Sequence, residues 1–321
     1  MRGDSLQSVE SLLALMSIKS IGPTTAVRLA RAFETWDALL TSSPSERVAV
    51  AGKAGASVQS RPESPGVTEL AGARVVGHFD ADFPDALRAA PQAPAVIWIR
   101  GTVGDKPGIA VVGTREPTAA GLAASATLAR WSVLAGYAVI SGLAEGVDFA
   151  AHEACLDAGG KTVAVLGAGL DVLGPTDHME LAERILAAGG GLVSEVRPGV
   201  KASGRTLVPR NRLQVALSDA VLVAQTDLEG GTLTTAEQAL KQGRPLACWG
   251  PEAGDEPQAW AGNAAMLNPK GFHLLKAPLR KALETAGPAR LVNASVAIDH
   301  KTLAAWASRD ARMDPSRESQ P

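Results

Sequence analysis

A chain of 321 residues, 46% hydrophobic and 20% charged, has the composition of an ordinary globular protein with room for one sizeable α/β domain and a smaller unit. Its formal net charge of −2 excludes bulk attraction to nucleic acid or membrane, so any polyanion site must be local. Two isolated cysteines, Cys155 and Cys248, exclude a disulfide framework and a zinc centre. No apolar run reaches a membrane span and no export signal is evident, so a cytoplasmic chain is expected.

Residues 1–40 repeat apolar side chains at helical spacing (Leu12, Leu13, Leu15, Met16, then Val27, Leu29, Ala30, Phe33), broken at Ile21-Gly22-Pro23. This resembles a helix-hairpin-helix with Ser20 in place of the usual first glycine; a plain helical packing module fits equally well. Residues 41–72, rich in Ser, Gly, Pro and Ala, read as a linker. From 73 to 275 strand and helix alternate. Apolar runs at Val96–Ile99 and Ile109–Val112 lead to a helix over Ala119–Ala135 and a strand over Ala138–Ile140. Next come a helix at Phe149–Ala158, a strand at Thr162–Leu166, a helix at Met179–Ala188 and a strand at Leu192–Ser194. A helix at Thr206–Leu217, a strand at Ala220–Ala224, a helix at Leu233–Gln242 and a strand at Leu246–Trp249 complete the series. Near-continuous apolar strands separated by helices predict a doubly wound, mostly parallel sheet of the Rossmann-like kind, with its ligand beyond the carboxyl ends of the strands. Residues 276–308 are expected to form a separate C-terminal helical segment and 309–321 a disordered tail.

The strand ends carry small residues: Gly113-Thr114-Arg115, Ser141-Gly142-Leu143-Ala144-Glu145-Gly146, Gly167-Ala168-Gly169 and Glu229-Gly230-Gly231-Thr232. Each suits close approach of backbone amides to an anion. Opposite them, Arg197, Lys201, Arg205 and Val208-Pro209-Arg210-Asn211-Arg212 form a basic run without an acid, read as a mobile loop whose arginine forks suit phosphate oxygens. Together these features predict a phosphate-lined cleft. No phosphate-loop lysine, nucleophile elbow or His/Cys cluster is present, so no catalytic residue, metal or cofactor is expected.

Val111–Arg115, the Ser141–His152 block, Val163–Asp171, Pro209–Arg212, Gly231–Ala236 and Gln242-Gly243-Arg244 resemble the bacterial DNA-processing protein A (DprA, or Smf) family, in order and over about residues 79–268. The resemblance implies a non-enzymatic, sequence-independent single-stranded-DNA-binding protein that acts as a homodimer and loads a RecA-type recombinase. It implies Gly113 and Arg115 as phosphate contacts, Ser141, Gly142 and Gly146 as backbone donors, and Arg210, Asn211 and Arg212 as a basic rim. Asp148 and His152 match the motif as well, although a capping carboxylate and a packed histidine account for them equally. Departures stand at Glu145, at Gly174–His178, at Trp249-Gly250, and at Gln214, which sits where apolar residues are usual. With 4% aromatic residues, phosphate contacts rather than base stacking should dominate binding.

Two other readings compete. Glu229-Gly230-Gly231-Thr232 followed by Glu237 faintly echoes the signature of lysine-decarboxylase-like phosphoribohydrolases, with Arg115 or Arg210 beside Glu237 at a ribosyl bond. A sensor domain holding a small nucleotide signal in the same cleft is the other.

Overall fold

The computed structural model describes residues 5–292. The expected sheet is there, with nine strands: β1 (Arg74–Gly77), β2 (Val96–Gly101), β3 (Gly108–Val112), β4 (Ala138–Ser141), β5 (Thr162–Leu166), β6 (Gly191–Ser194), β7 (Ala220–Val223), β8 (Leu246–Trp249) and β9 (Arg290–Val292). Their spatial order is β1-β2-β6-β5-β4-β3-β7-β8-β9. All pairings from β6 to β9 are parallel, and β2 runs antiparallel to both β1 and β6. The parallel strands are buried on both faces, which is why they read as unbroken apolar runs.

Alternation along each strand divides its side chains between two layers of helix. Ile109 and Val111 pack with α6 (Ala119–Leu134) and α7 (Val147–Asp157), whereas Ala110 and Val112 pack with α10 (Gly231–Lys241) on the opposite face. On the α10 face, further along the sheet, lies α9 (Gly204–Ala216), whose Leu213 and Ala216 meet Ile140, Val163 and Val165. On the α7 face, α8 (Thr176–Ala187) contributes Leu181 and Ile185 to a core shared with Trp98, Leu166 and Leu192.

The same core takes in the N-terminal helices α1 (Val9–Ser17), α2 (Pro23–Phe33) and α3 (Trp36–Thr41) through Leu12, Leu13, Leu29 and Trp36. The hairpin between α1 and α2 forms with Ser20 at φ 79°, the left-handed conformation a glycine would adopt freely. Two readings from composition need correction here. The stretch 41–72 holds α4 (Pro44–Ala51), started by a capping box between Ser43 and Glu46, and a 3-10 turn, and its Val58 is fully buried in the N-terminal core. Beyond residue 276, α12 (Ala277–Ala286) buries Leu279 and Leu283 beneath the sheet and β9 pairs with β8, so 276–292 is part of the α/β unit. The calls on 293–308 and on the tail 309–321 fall outside the described residues.

The chain leaves β3 toward β4, β5 and β6 on one side and returns to pair β7 against the other edge of β3. The crossover direction therefore reverses between β3 and β7. Doubly wound sheets open a crevice at that point.

Candidate nucleic-acid interface

A cleft of about 500 Å³ lies at the carboxyl ends of β3 and β7. Gly113, Thr114, Arg115 and Glu116 form one wall after β3, and Thr226, Asp227, Glu229, Gly230, Gly231 and Thr232 form another after β7. The third wall is a face of α9, with Leu207, Arg210, Asn211 and Gln214 at helical spacing.

Helix α10 enters the cleft at its amino end with Gly230 as N-cap and no side-chain cap, so its first amides and the positive end of its dipole face the opening. Beside it Arg115 is exposed, with no hydrogen bond or ion pair among the described residues. Gly113 must be glycine: a Cβ there would stand 2.5 Å from Val147 Cγ2 and 2.8 Å from the Gln225 carbonyl oxygen. Its bareness lets β3 end against α7 and leaves Arg115 at the mouth of the cleft.

The basic run differs from the sequence reading. Residues 204–216 are helix, with Pro209 inside it, and Arg210, Asn211 and Arg212 are buried. Arg210 runs under the cleft floor: its Nη1 donates to the carbonyls of Gly142 (2.9 Å) and Val165, and its Nε donates to Asn211 Oδ1 (3.2 Å). Arg212 turns away from the cleft altogether. It forms two 2.6 Å bonds to the carboxylate of Glu195 after β6 and donates to the carbonyls of Gln92 and Pro209. The apolar environment under the sheet demanded partners for both guanidiniums, and the fold supplies them internally.

Several expected contacts likewise go inward. The Gly142 amide donates to Asp148 Oδ2 (3.0 Å), and a Cβ on Gly142 would meet both Asp148 and Arg210 at 2.5 Å. Ser141 Oγ donates to the Val111 carbonyl (2.7 Å), Leu143 is buried in the core at φ 55°, and Gly167 gives room to Leu207 of α9. Gly146 is the N-cap of α7, and with Glu145 it lines a neighbouring groove between α6 and α7 that Arg115 and Glu116 also border. Lys201 is exposed on the loop before α9, away from the cleft lining. Thus Gly113, Thr114, Arg115, Arg210, Asn211, Gly230, Gly231 and Thr232 come together, while Ser141, Gly142, Leu143, Gly146, Gly167, Lys201 and Arg212 do not join them.

Asp148 and His152 take the structural roles. Burial pushes the Asp148 carboxyl up, against the opposing pull of Arg210, and the same burial lowers the Arg210 guanidinium. His152 is fully buried with Nδ1 2.7 Å from Thr162 Oγ1; burial, then Arg210, lower its pKa to about 3. Residues the sequence reading passed over are Glu116, Leu207, Gln214, Thr226, Asp227 and Thr235. The three-to-four-residue spacing of Leu207, Arg210, Asn211 and Gln214 was the available signal for part of that set, once 204–216 is taken as helix.

The model of the DNA recombination-mediator protein A family matches residues 74–277, which is the whole sheet up to the start of α12. The chain belongs to this family. Family relatives include the Smf protein of Synechocystis, 38% identical over 52% of this chain and 43% of its own length. The DNA processing protein DprA of Bacillus subtilis is 35% identical over 51% of this chain and 56% of its own. The chain thus spans about half the length of the curated relatives it matches. Among solved structures, DprA from Streptococcus pneumoniae superposes with a TM-score of 0.68 at 23% identity, covering 93% of this chain and 97% of that one. DprA from Helicobacter pylori, whose structure is described in terms of a single-stranded DNA binding mode, gives a TM-score of 0.53 at 25% identity over 67% of this chain and 95% of that one. The fold of this family member is therefore that of the DprA structures. Among its described residues no group of three His, Cys, Asp or Glu is placed to hold a metal, and no helix is long and apolar enough to cross a membrane.

Proposed function

We propose that the chain binds single-stranded DNA in the cleft between β3 and β7, as a binding protein without catalytic turnover. The observation that carries this reading is the unpaired Arg115 beside the uncapped amino end of α10, two anion-seeking features aimed into one crevice. The single-stranded DNA binding mode of the Helicobacter pylori relative supports it. The phosphoribohydrolase alternative loses its second catalytic group: Glu237 pairs with Lys241 along α10 and does not line the cleft. In this reading the protein delivers the strand to a RecA-type recombinase, which the family's description as a recombination mediator supports, and it works as a homodimer.

Titrating a fluorescent single-stranded oligonucleotide and its duplex against the protein tests the proposal. Tighter binding of the single strand is expected, and equal affinity for both, or none, overturns it. Incubation with nucleoside monophosphates is expected to release no free base. Light scattering is expected to give the mass of a dimer.

A further inference from the structure

Gln214 lines the cleft from α9, three residues after Asn211 and four after Arg210. It is 2% exposed, and its flanking residues Leu213, Val215 and Ala216 belong to the apolar cores. Its side-chain amide makes no hydrogen bond among the described residues, whereas the polar groups around it are engaged. Asn211 Nδ2 donates to the Gly231 carbonyl at 3.2 Å and its Oδ1 accepts from Arg210 Nε. Thr235 Oγ1 donates to the same Gly231 carbonyl at 3.3 Å. A buried amide without partners is destabilising, and leucine would fill such a position at no cost in hydrogen bonds. An amide at this place is accounted for by a partner that arrives with the ligand.

That partner must offer a donor beside an acceptor, since the amide presents one of each. It must also reach the floor while an attached anion stays at the mouth with Arg115 and α10. A nucleotide has this shape: a phosphate joined to a base whose edge carries adjacent donor and acceptor atoms. Glutamine matches adenine in this way, through N6 and N7. We infer that one base of the bound strand turns into the cleft and that Gln214 reads its edge, with adenine the favoured base. Binding is then indifferent to sequence along the backbone and selective at one position. This rests on the single-strand reading above.

The experiment compares the parent protein and Gln214→Leu on two oligonucleotides of equal length, one of deoxyadenosine and one of abasic deoxyribose phosphate, with anisotropy as the readout. Thermal melting of the variant checks its fold. Gln214→Glu, which keeps size and removes the donor, serves as the second variant if the leucine form melts early. A good bidentate base contact is worth about a five- to hundred-fold change in affinity. The expected result is a loss of that size on the deoxyadenosine strand and none on the abasic strand. An equal loss on both strands, or a loss on neither, overturns the base contact and leaves single-strand binding standing. If the parent protein binds neither strand, the single-strand reading falls as well.

Discussion

Arg115 ends β3 with its guanidinium exposed and without an ion pair among the described residues, so its removal disturbs no internal contact. Arg115→Ala is expected to leave the melting temperature within the small range of surface substitutions. It should also weaken single-strand binding by roughly ten- to a hundred-fold, the loss of one charge-assisted phosphate contact. Melting and anisotropy on the same variant check both halves. Arg212 is its opposite. With side-chain exposures of 9% and 16%, the Arg212–Glu195 pair is buried, and removing one partner strands the other's charge. Arg212→Ala is expected to cost about 3–5 kcal/mol of stability in denaturant unfolding. His152 sets a pH dependence. Thr162 Oγ1 donates to the Val139 carbonyl, so the ring gives its Nδ1 proton to Thr162 and keeps Nε2 bare and buried. Because its folded pKa is about 3 against an ordinary 6.5, only the unfolded chain takes up the proton between those values. The histidine's contribution is complete above pH 6.5 and is lost as pH falls toward 3, at a slope approaching about 1.4 kcal/mol per pH unit. Asp148, pushed up by burial, titrates in the opposite sense. The stability difference between the parent and His152→Leu isolates the histidine and should move against the parent on acidification.

At the scale of elements, most of the sheet could be read from the chain because its strands are apolar on both faces and end at glycine or polar residues. The expected strands Thr162–Leu166 and Leu246–Trp249 coincide with β5 and β8. What escaped was set by tertiary context. β1 is a half-exposed four-residue edge strand, and β9 is three residues with one buried, so neither has an apolar run to announce it. In α9, the glycine, serine and proline around the arginines argued for a loop, whereas packing on Ile140 and Val163 and internal partners for both guanidiniums hold that stretch in a helix. The site was legible to the same degree. Turns after β3 and β7 announce themselves by sequence, but whether a given glycine faces ligand or merely makes room, as Gly142 does for Asp148 and Arg210, is decided by neighbours remote in the chain. The C-terminal helix gives this a test. Leu283 is fully buried against the α10 side of the sheet. Leu283→Ala is therefore expected to cost about 2–5 kcal/mol, as for a core leucine rather than one in a peripheral segment. Urea unfolding measures it.

For the molecule as a whole, charge decides how a strand is held. The net charge is −2, and the cleft places Arg115 and the buried Arg210 among Glu116, Asp148, Asp227 and Glu229. Long-range attraction is therefore weak, and affinity must come from a few short contacts. A strand bound by many lysines and arginines loses affinity steeply with salt, each phosphate contact on single-stranded DNA adding about 0.7 to the slope of log K against log salt. Here Arg212 is committed to Glu195, and Arg210 donates to backbone carbonyls beneath the floor, which leaves Arg115 as the exposed arginine of the cleft. A shallow slope is expected, falling by about 0.7 in Arg115→Ala. Arg212→Glu would break the fold rather than the slope, so the matched control is Glu195→Gln. That substitution keeps the size of the partner and lies outside the cleft lining, and its slope should equal the parent's. Lys201, exposed on the loop before α9, supplies the remaining arm: if Lys201→Ala flattens the slope and Arg115→Ala does not, the backbone of the strand runs along that loop instead of across the ends of β3 and β7.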